Sequence, residues 1–389
     1  MKYWFGYLVA AIFGAITWVL LQFGEKFSDL VDMVYPYVAR NLQGYLAQWT
    51  SVVDYPVWQL LAIVLLVLIL ASLVLVVILK RSFVAWGGWV AAVFSAIYML
   101  HILMWGLSYH AGDLSDDLRL DTSSYNLEEL VEATEYYRDK AMELAAQVNR
   151  DSQGNVDFAD FETLAVNAGK GFEILTYEHH YPVFAGSRLP VKKLGWADLY
   201  SSMGITGVTF GITGEAAVNP QIPDVTLPFT MIHEMAHRMC IANERDANFT
   251  GFLACSVHPD LEFQYSGYFM AYRFCIEALQ SVDAEAAEEI AAGCSDVLKA
   301  DIDGYDRYFD ENRDDKLTTR LVTTVTDTYN EATTNEEVRH SSVCDYLVNW
   351  HISEYTEPDE VETKFDPFDE TQVDLSGLGN AKEQEEPAE

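Results

Sequence analysis

Three long apolar runs, at residues 3–21, 57–79 and 84–105, constrain this chain more than any other feature. Each is close to the roughly 20 residues that an α-helix needs to cross a bilayer. A lone spanning segment must be helical, because its backbone N–H and C=O groups find no water in the hydrocarbon. Lys2 precedes the first run as in a signal peptide, yet the run is long for one, and Leu21-Gln22-Phe23 is no small-residue cleavage site. It reads as a retained anchor. Lys80 and Arg81 fill the tight connection between the second and third runs, whereas Lys26 and Arg40 are diluted over a longer loop. Lysine and arginine in short loops mark the inner side. The expectation is a multi-pass membrane protein, with its N-terminus inside and its soluble part outside. His101 reads as an interfacial histidine, and Trp105 and Tyr109 as aromatic-belt anchors. The first loop, residues 24–55, has Leu30, Val34 and Val38 at helical spacing broken by Pro36, and is expected on the membrane surface or beneath the soluble domain.

The chemistry lies elsewhere, in PFTMIHEMAHRMCIANERDANF at residues 228–249. If Pro228 opens a helix, His233 and His237 fall one turn apart on one face, and two imidazoles so placed can grip one Zn²⁺. Glu234, beside the first histidine, is then positioned to take a proton from an activated water. A catalytic zinc usually has a third protein ligand. On a continuous helix Glu244 would lie about 10 Å along the axis from His237, at 1.5 Å per residue, and could not share the metal. Asn243 is a good N-cap with Asp246 at the N3 position, so a second helix is expected to begin at Glu244 after a turn at 241–243. That turn would swing Glu244 back to the metal, with Asp246 the next candidate. Asn248, one turn beyond Glu244, could hydrogen-bond a ligand.

HEMAH followed by ERDAN resembles the gluzincin metallopeptidases, in which a Glu ligand follows HExxH. It is more similar to a bacterial membrane family of unknown function with N-terminal spans and a pattern like GEAxVN…LPFTxxHExAHxxGxAxExEANFxAFLAC…YSGY. The matching stretches are residues 214–219, 227–237, 244–249, 252–255 and 265–268. The resemblance implies a zincin-like, zinc-dependent peptidase fold and implies no particular substrate. Two departures stand out. The family's turn glycine is Cys240 here, and the acid before Ala247 is Asp246 rather than Glu.

Around this centre, Asn126 and Glu129 form a capping-box signature ahead of Leu130, Ala133, Tyr137, Ala141 and Leu144 at helical spacing. A helix is expected over 158–175, and further helices over 261–281, 284–298, 317–333 and 343–353. Val208, Phe210 and Ile212 alternate with polar or small residues, the period of a half-buried strand. Such a strand beside the metal could pair with an extended substrate through its main chain. His258, Tyr265, Tyr268 and Arg273 are candidates to stabilise an oxyanion. DSQGNVD at 151–157 and DENRDDKL at 310–317 only faintly resemble calcium loops, the first with its Gly misplaced and the second without the closing Glu.

A net charge of −35 and no basic stripe argue against nucleic-acid binding. The five cysteines form no CxxC pair, so a thiolate zinc site is not supported, and a Cys294–Cys344 bridge is one open pairing. The expected fold is α+β, mainly α: a membrane region to residue 110, a zincin-like and mostly helical domain over 111–353 with a small β region, and an acidic disordered tail over 354–389. The expected function is a membrane-anchored zinc metallopeptidase cleaving peptide or protein substrates. A non-catalytic receptor or assembly factor on the same fold, and a zinc hydrolase of a non-peptide amide or ester, are the alternatives. Because HEMAH is far along the chain from the apolar runs, a fragment starting near Gly112 is expected to keep its fold, and oligomeric state is open.

Overall fold

In the computed structural model, which describes residues 3–122, 125–312 and 342–355, the N-terminal part consists of α1 (Phe5–Lys26), α2 (Ser28–Thr50), α3 (Val57–Ile78) and α4 (Phe83–Met104). Helices α1, α3 and α4 take up the three apolar runs and are long and apolar enough to cross a membrane. α1 packs along α4 where Gly6 meets Gly88. A Cβ on Gly6 would lie 2.5 Å from the Gly88 carbonyl carbon, so the crossing needs bare backbone on both sides. α3 joins α4 through the Lys80-Arg81 turn and through Trp86, whose indole donates to Ser72 Oγ at 2.9 Å.

The segment expected to break at Pro36 is one helix, α2, with the proline inside it. Proline removes one intrahelical donor, and external bonds hold the helix instead. Gln43 donates to the carbonyls of Met104 (3.1 Å) and Gly211 (2.7 Å), and Arg40 to those of Met239 and Pro182, both at 3.2 Å. One stripe of α2, including Val31, Ala39 and Ala47, is buried against the rest of the protein. Its outer side leaves Met33, Tyr37, Tyr45 and Trp49 exposed.

Beyond α5 (Leu114–Leu118), the capping box opens α6 (Leu127–Ala145) as its sequence predicts. Glu129 N–H donates to Asn126 Oδ1 at 3.1 Å and Asn126 N–H to Glu129 Oε2 at 2.6 Å. The helix expected over 158–175 is two, α7 (Phe161–Asn167) and α8 (Gly169–Tyr177). After α9 (Ala197–Ser202) come α10 (Leu227–Arg238), α11 (Glu244–Ser256) and α12 (Leu261–Val282), which packs along α6. Where one helix was expected over 284–298 there are α13 (Ala284–Ala292) and α14 (Asp296–Asn312), divided at Gly293, and α15 (Val343–Tyr355) follows. The expected helix at 317–333, most of the calcium-like loop at 310–317 and all but the first two residues of the acidic tail lie outside the described residues. In the other calcium-like loop, Asp151 Oδ1 accepts the N–H groups of Gln153 and Asn155, so the carboxylate closes its own turn.

The β region is a three-stranded sheet in the order β1-β3-β2, from β1 (Lys192–Lys193), β2 (Gly207–Phe210) and β3 (Glu215–Val218). β3 runs parallel to β1 and antiparallel to β2, with Thr209 opposite Ala216. β3 is fully buried and β2 is an edge.

Glu215, at the start of β3, ties this sheet to the apolar helices. Its side chain is 1% exposed, and its carboxylate accepts Lys192 Nζ at 2.6 Å and the N–H groups of Val57 (2.8 Å) and Trp58 (3.0 Å). The N-cap of α3 is Pro56, which has no side-chain acceptor, so Glu215 supplies the cap. A cut at residue 110 would sever this cap and the bonds of α2. The separable soluble fragment expected from sequence distance is therefore at odds with how the parts are joined. All five cysteines are buried thiols, and Cys344 Sγ lies 3.7 Å from Cys275 Sγ rather than beside Cys294, whose sulfur meets Tyr272 Oη at 3.3 Å.

Candidate functional site

The local fold around HEMAH follows from how α10 ends. Cys240 takes φ = +67°, the left-handed conformation, although it is not glycine. Its N–H donates to the His237 carbonyl (2.9 Å) and the Ile241 N–H to the Ala236 carbonyl (3.2 Å), the paired bonds of a Schellman motif. The chain turns back and α11 starts at Glu244, as the N-cap at Asn243 predicts. Asn243 has extended φ/ψ at the cap but its side chain makes no cap bond. Asp246 does not complete a capping box either. It accepts from Arg245 at 3.0 Å and from the Leu114 N–H at 3.3 Å, which takes it away from the histidines.

The turn sets the chemistry of His237. Its Nδ1 lies 2.8 Å from the Ile241 carbonyl, which can only accept, so Nδ1 carries the hydrogen and Nε2 faces the cleft. The two histidine Nε2 atoms are 3.0 Å apart. Glu244 places Oε2 3.3 Å from His233 Nε2 and Oε1 3.5 Å from His237 Nε2. These three side chains are the described residues whose donor atoms gather closely enough to hold a metal ion, all within 4.8 Å of one another. Burial alone would lower the proton affinity of His237, but the Glu244 carboxylate, with Glu234 and the Ile241 carbonyl, outweighs it and raises the pKa to about 9. The Glu244 side chain is 69% exposed, and the two imidazoles beside it hold its carboxyl well below its usual range.

Glu234 is buried beside this cluster, and burial raises its pKa against the opposing pull of both histidines and of Thr209. The Thr209 hydroxyl on β2 lies 2.7 Å from Glu234 Oε2 and 2.8 Å from the Glu234 carbonyl, and its single proton serves one of them at a time. Gly207, two residues earlier on the same face of β2, leaves room for the carboxylate. A Cβ there would stand 2.4 Å from Glu234 Oε1.

The cluster opens into a cleft of about 460 Å³ walled by residues 203–209, Trp105 and Tyr109. Of the strand residues singled out by alternation, Val208 lines this cleft, whereas Phe210 stacks on Trp58 at 5.5 Å and Ile212 lies past the end of β2 in the turn. None of the four proposed oxyanion donors reaches it. Tyr265 is buried with its hydroxyl on Asp301, and Tyr268 lines a separate cavity with Tyr136 and His351. His258 is fully buried, stacked on Phe263 and bonded to the Asn167 carbonyl at 3.1 Å, and Arg273 is paired with Asp306 and Glu277. Asn248 is half-buried on α11, but it does not serve the outer nitrogen of His233, whose Nδ1 is buried without a partner.

Two residues read from sequence as membrane-belt aromatics stand here instead. Trp105 donates its indole N–H to the His237 carbonyl at 2.9 Å, with its ring edge-on to the imidazole at 6.1 Å. Tyr109 packs edge-to-face on Trp105 at 5.4 Å, and burial first, then the Glu244 charge, keeps its phenol protonated to higher pH than usual. Their position one and five residues past α4 gave no local signal of a site, since the contact of Trp105 with His237 spans 132 residues of chain.

A family model described as Protein of unknown function (DUF3810) matches residues 31–341, so the match takes in α2 from Val31 on, both later apolar helices and the whole cluster. No curated protein and no solved structure matches the chain.

Proposed function

We propose that this chain, which belongs to the family described as Protein of unknown function (DUF3810), is a membrane-anchored zinc metallopeptidase of gluzincin type. His233, His237 and Glu244 would hold the metal and Glu234 would act as general base. The observation that carries this reading is the spacing of the three donors. Ligand atoms bound tetrahedrally at about 2.0–2.1 Å lie roughly 3.3 Å apart; here the two Nε2 atoms are 3.0 Å apart, and Glu244 turns one oxygen to each, Oε2 at 3.3 Å from His233 and Oε1 at 3.5 Å from His237. Zinc in such a site would polarise a carbonyl and lower the pKa of water to about 7.

The chain's own residues would do the rest. The Ile241 carbonyl fixes the His237 tautomer so that Nε2 can ligate. Glu234, its proton affinity raised by burial, would accept a proton from the attacking water and return it to the leaving amine. Thr209 would orient that carboxylate. Tyr109, on the cleft wall and neutral, is the donor we assign to the oxyanion in place of the four earlier candidates. The free edge of β2 would hold the substrate in extended form.

The test is to incubate the full chain in nanodiscs with a mixed peptide library and read cleavage by mass spectrometry, beside Glu234→Gln and a chelated sample. Cleavage that both treatments abolish supports the peptidase. A chain that holds zinc but cuts no peptide would put the receptor, or a hydrolase of another amide or ester, first.

A further inference from the structure

We infer that the cleft takes its substrate from the bilayer surface: the polypeptide it binds is the flanking segment of a membrane-anchored chain, held within a few residues of the lipid boundary. This rests on the peptidase reading of the same site and adds where its substrate comes from.

The first ground is depth. α4 has 22 residues, which at 1.5 Å per residue span about 33 Å, close to the roughly 30 Å of bilayer hydrocarbon. Its last residue is Met104, so Trp105 stands at the hydrocarbon boundary. The His237 ring is 6.1 Å from the Trp105 ring. The headgroup zone on each side is about 5–8 Å thick, and the donor cluster falls in or just above it.

The second ground is rigidity. A domain on a flexible stalk could lift its cleft away from the lipid, but this one is fixed at three places. Trp105 bonds the HEMAH helix directly. Glu215 caps α3 from the central strand, and Trp58 in the first turn of α3 stacks on Phe210 of β2 at 5.5 Å, interplanar angle 27°. The edge strand beside Glu234 therefore has its C-terminal end against two apolar helices, Phe210 on Trp58 of α3 and Gly211 against Trp105 at the end of α4. α2 makes the third tie. Its inner stripe is bonded to the domain, its outer side leaves Met33 73%, Tyr37 72% and Trp49 74% exposed, and the chain joins it to the apolar helices α1 and α3 at either end. Apolar and aromatic residues on a helix of this kind bury in the interfacial layer. A segment paired to β2 would then run up from the membrane past Phe210 toward the donor cluster.

The experiment uses the full chain carrying Glu234→Gln, so that nothing is turned over, with p-benzoylphenylalanine at Met203 on the cleft wall, in nanodiscs. Three probes carry the same randomised ten-residue segment: free in solution, joined to a single transmembrane helix by 4 residues, or joined by 30. At about 3.3–3.6 Å per extended residue, the short spacer reaches only some 13 Å above the lipid and the long one about 100 Å. The expected result is photolabelling of the short-spacer probe at least tenfold above the free segment, and no weaker than the long-spacer probe. Labelling of the long-spacer probe alone, equal labelling of free and tethered segments, or labelling of none of the three overturns the inference. The same probes given to the unsubstituted protein separate the two ideas. Short-spacer labelling without any cleavage would leave the substrate's location standing and remove the peptidase. Equal cleavage of free and tethered segments would do the reverse.

Discussion

Cys240 carries the turn that the site depends on. A non-glycine residue in the left-handed region costs on the order of 1–2 kcal/mol, and here it is held there by the two Schellman bonds and by burial of its thiol. Replacing it with glycine should relieve that strain and leave stability within about 1 kcal/mol, the gain offset by greater unfolded-chain entropy. Cys240→Val is different, because a β-branched side chain tolerates positive φ poorly. It should lower the melting temperature and release Glu244 from the histidines, seen as weaker zinc retention on dialysis. Gly207 gives a second residue-scale test. The Cβ of Gly207→Ala would occupy the space of Glu234 Oε1, so catalysis should fall on the order of 100-fold, the usual effect of a misplacement near 1 Å, while zinc content stays unchanged. That His233, His237, Glu234 and Glu244 come together was legible in the sequence because helix period and capping are local rules. Tyr109 was not, because nothing local distinguishes a tyrosine facing lipid headgroups from one packed against a cleft 130 residues later. His258, Tyr265, Tyr268 and Arg273 misled for the converse reason: near the motif in sequence, His258 falls in the loop between α11 and α12 and the other three on α12, where they are held by the core, a separate cavity or surface ion pairs.

Among the elements, β1 and α2 carry the lesson. β1 is two residues in a stretch that reads as irregular, and its role appears only with Lys192 bonded to Glu215. A buried carboxylate with one lysine and two helix N–H groups leaves costly debris if its charge is removed. Glu215→Gln should destabilise the protein by about 3 kcal/mol, as breaking a buried pair commonly does, measured by thermal unfolding in detergent. Pro36 made α2 look like two pieces, since intrahelical bonding is all that sequence rules count, and the bonds from Arg40 and Gln43 come from outside the helix. If the outer side of α2 lies in the interface, a diazirine carried on a lipid headgroup should label peptides containing Met33, Tyr37 and Trp49. Labelling restricted to α1, α3 and α4 would place α2 away from the lipid.

At the scale of the whole molecule, three apolar helices and a mainly helical domain with a small sheet were readable from period and composition. How the two are joined was not, because sequence distance stood in for spatial distance. Trp105 and Glu215 make the apolar helices part of the site's scaffold. A fragment beginning at Gly112 should consequently aggregate or show a molten near-ultraviolet spectrum, whereas the full chain in detergent should unfold cooperatively. A fragment with native-like cooperativity would show these ties to be dispensable.

The most direct measurement is zinc per chain, by elemental analysis of the full protein purified without added metal, beside His237→Ala, Glu244→Ala and Glu234→Gln, each checked for its fold by thermal unfolding. The expected result is one zinc in the unsubstituted protein and in Glu234→Gln, and loss of it in folded His237→Ala and Glu244→Ala. No zinc in the folded parent, or zinc that His237→Ala leaves in place, would contradict the metal centre and with it the proposed activity.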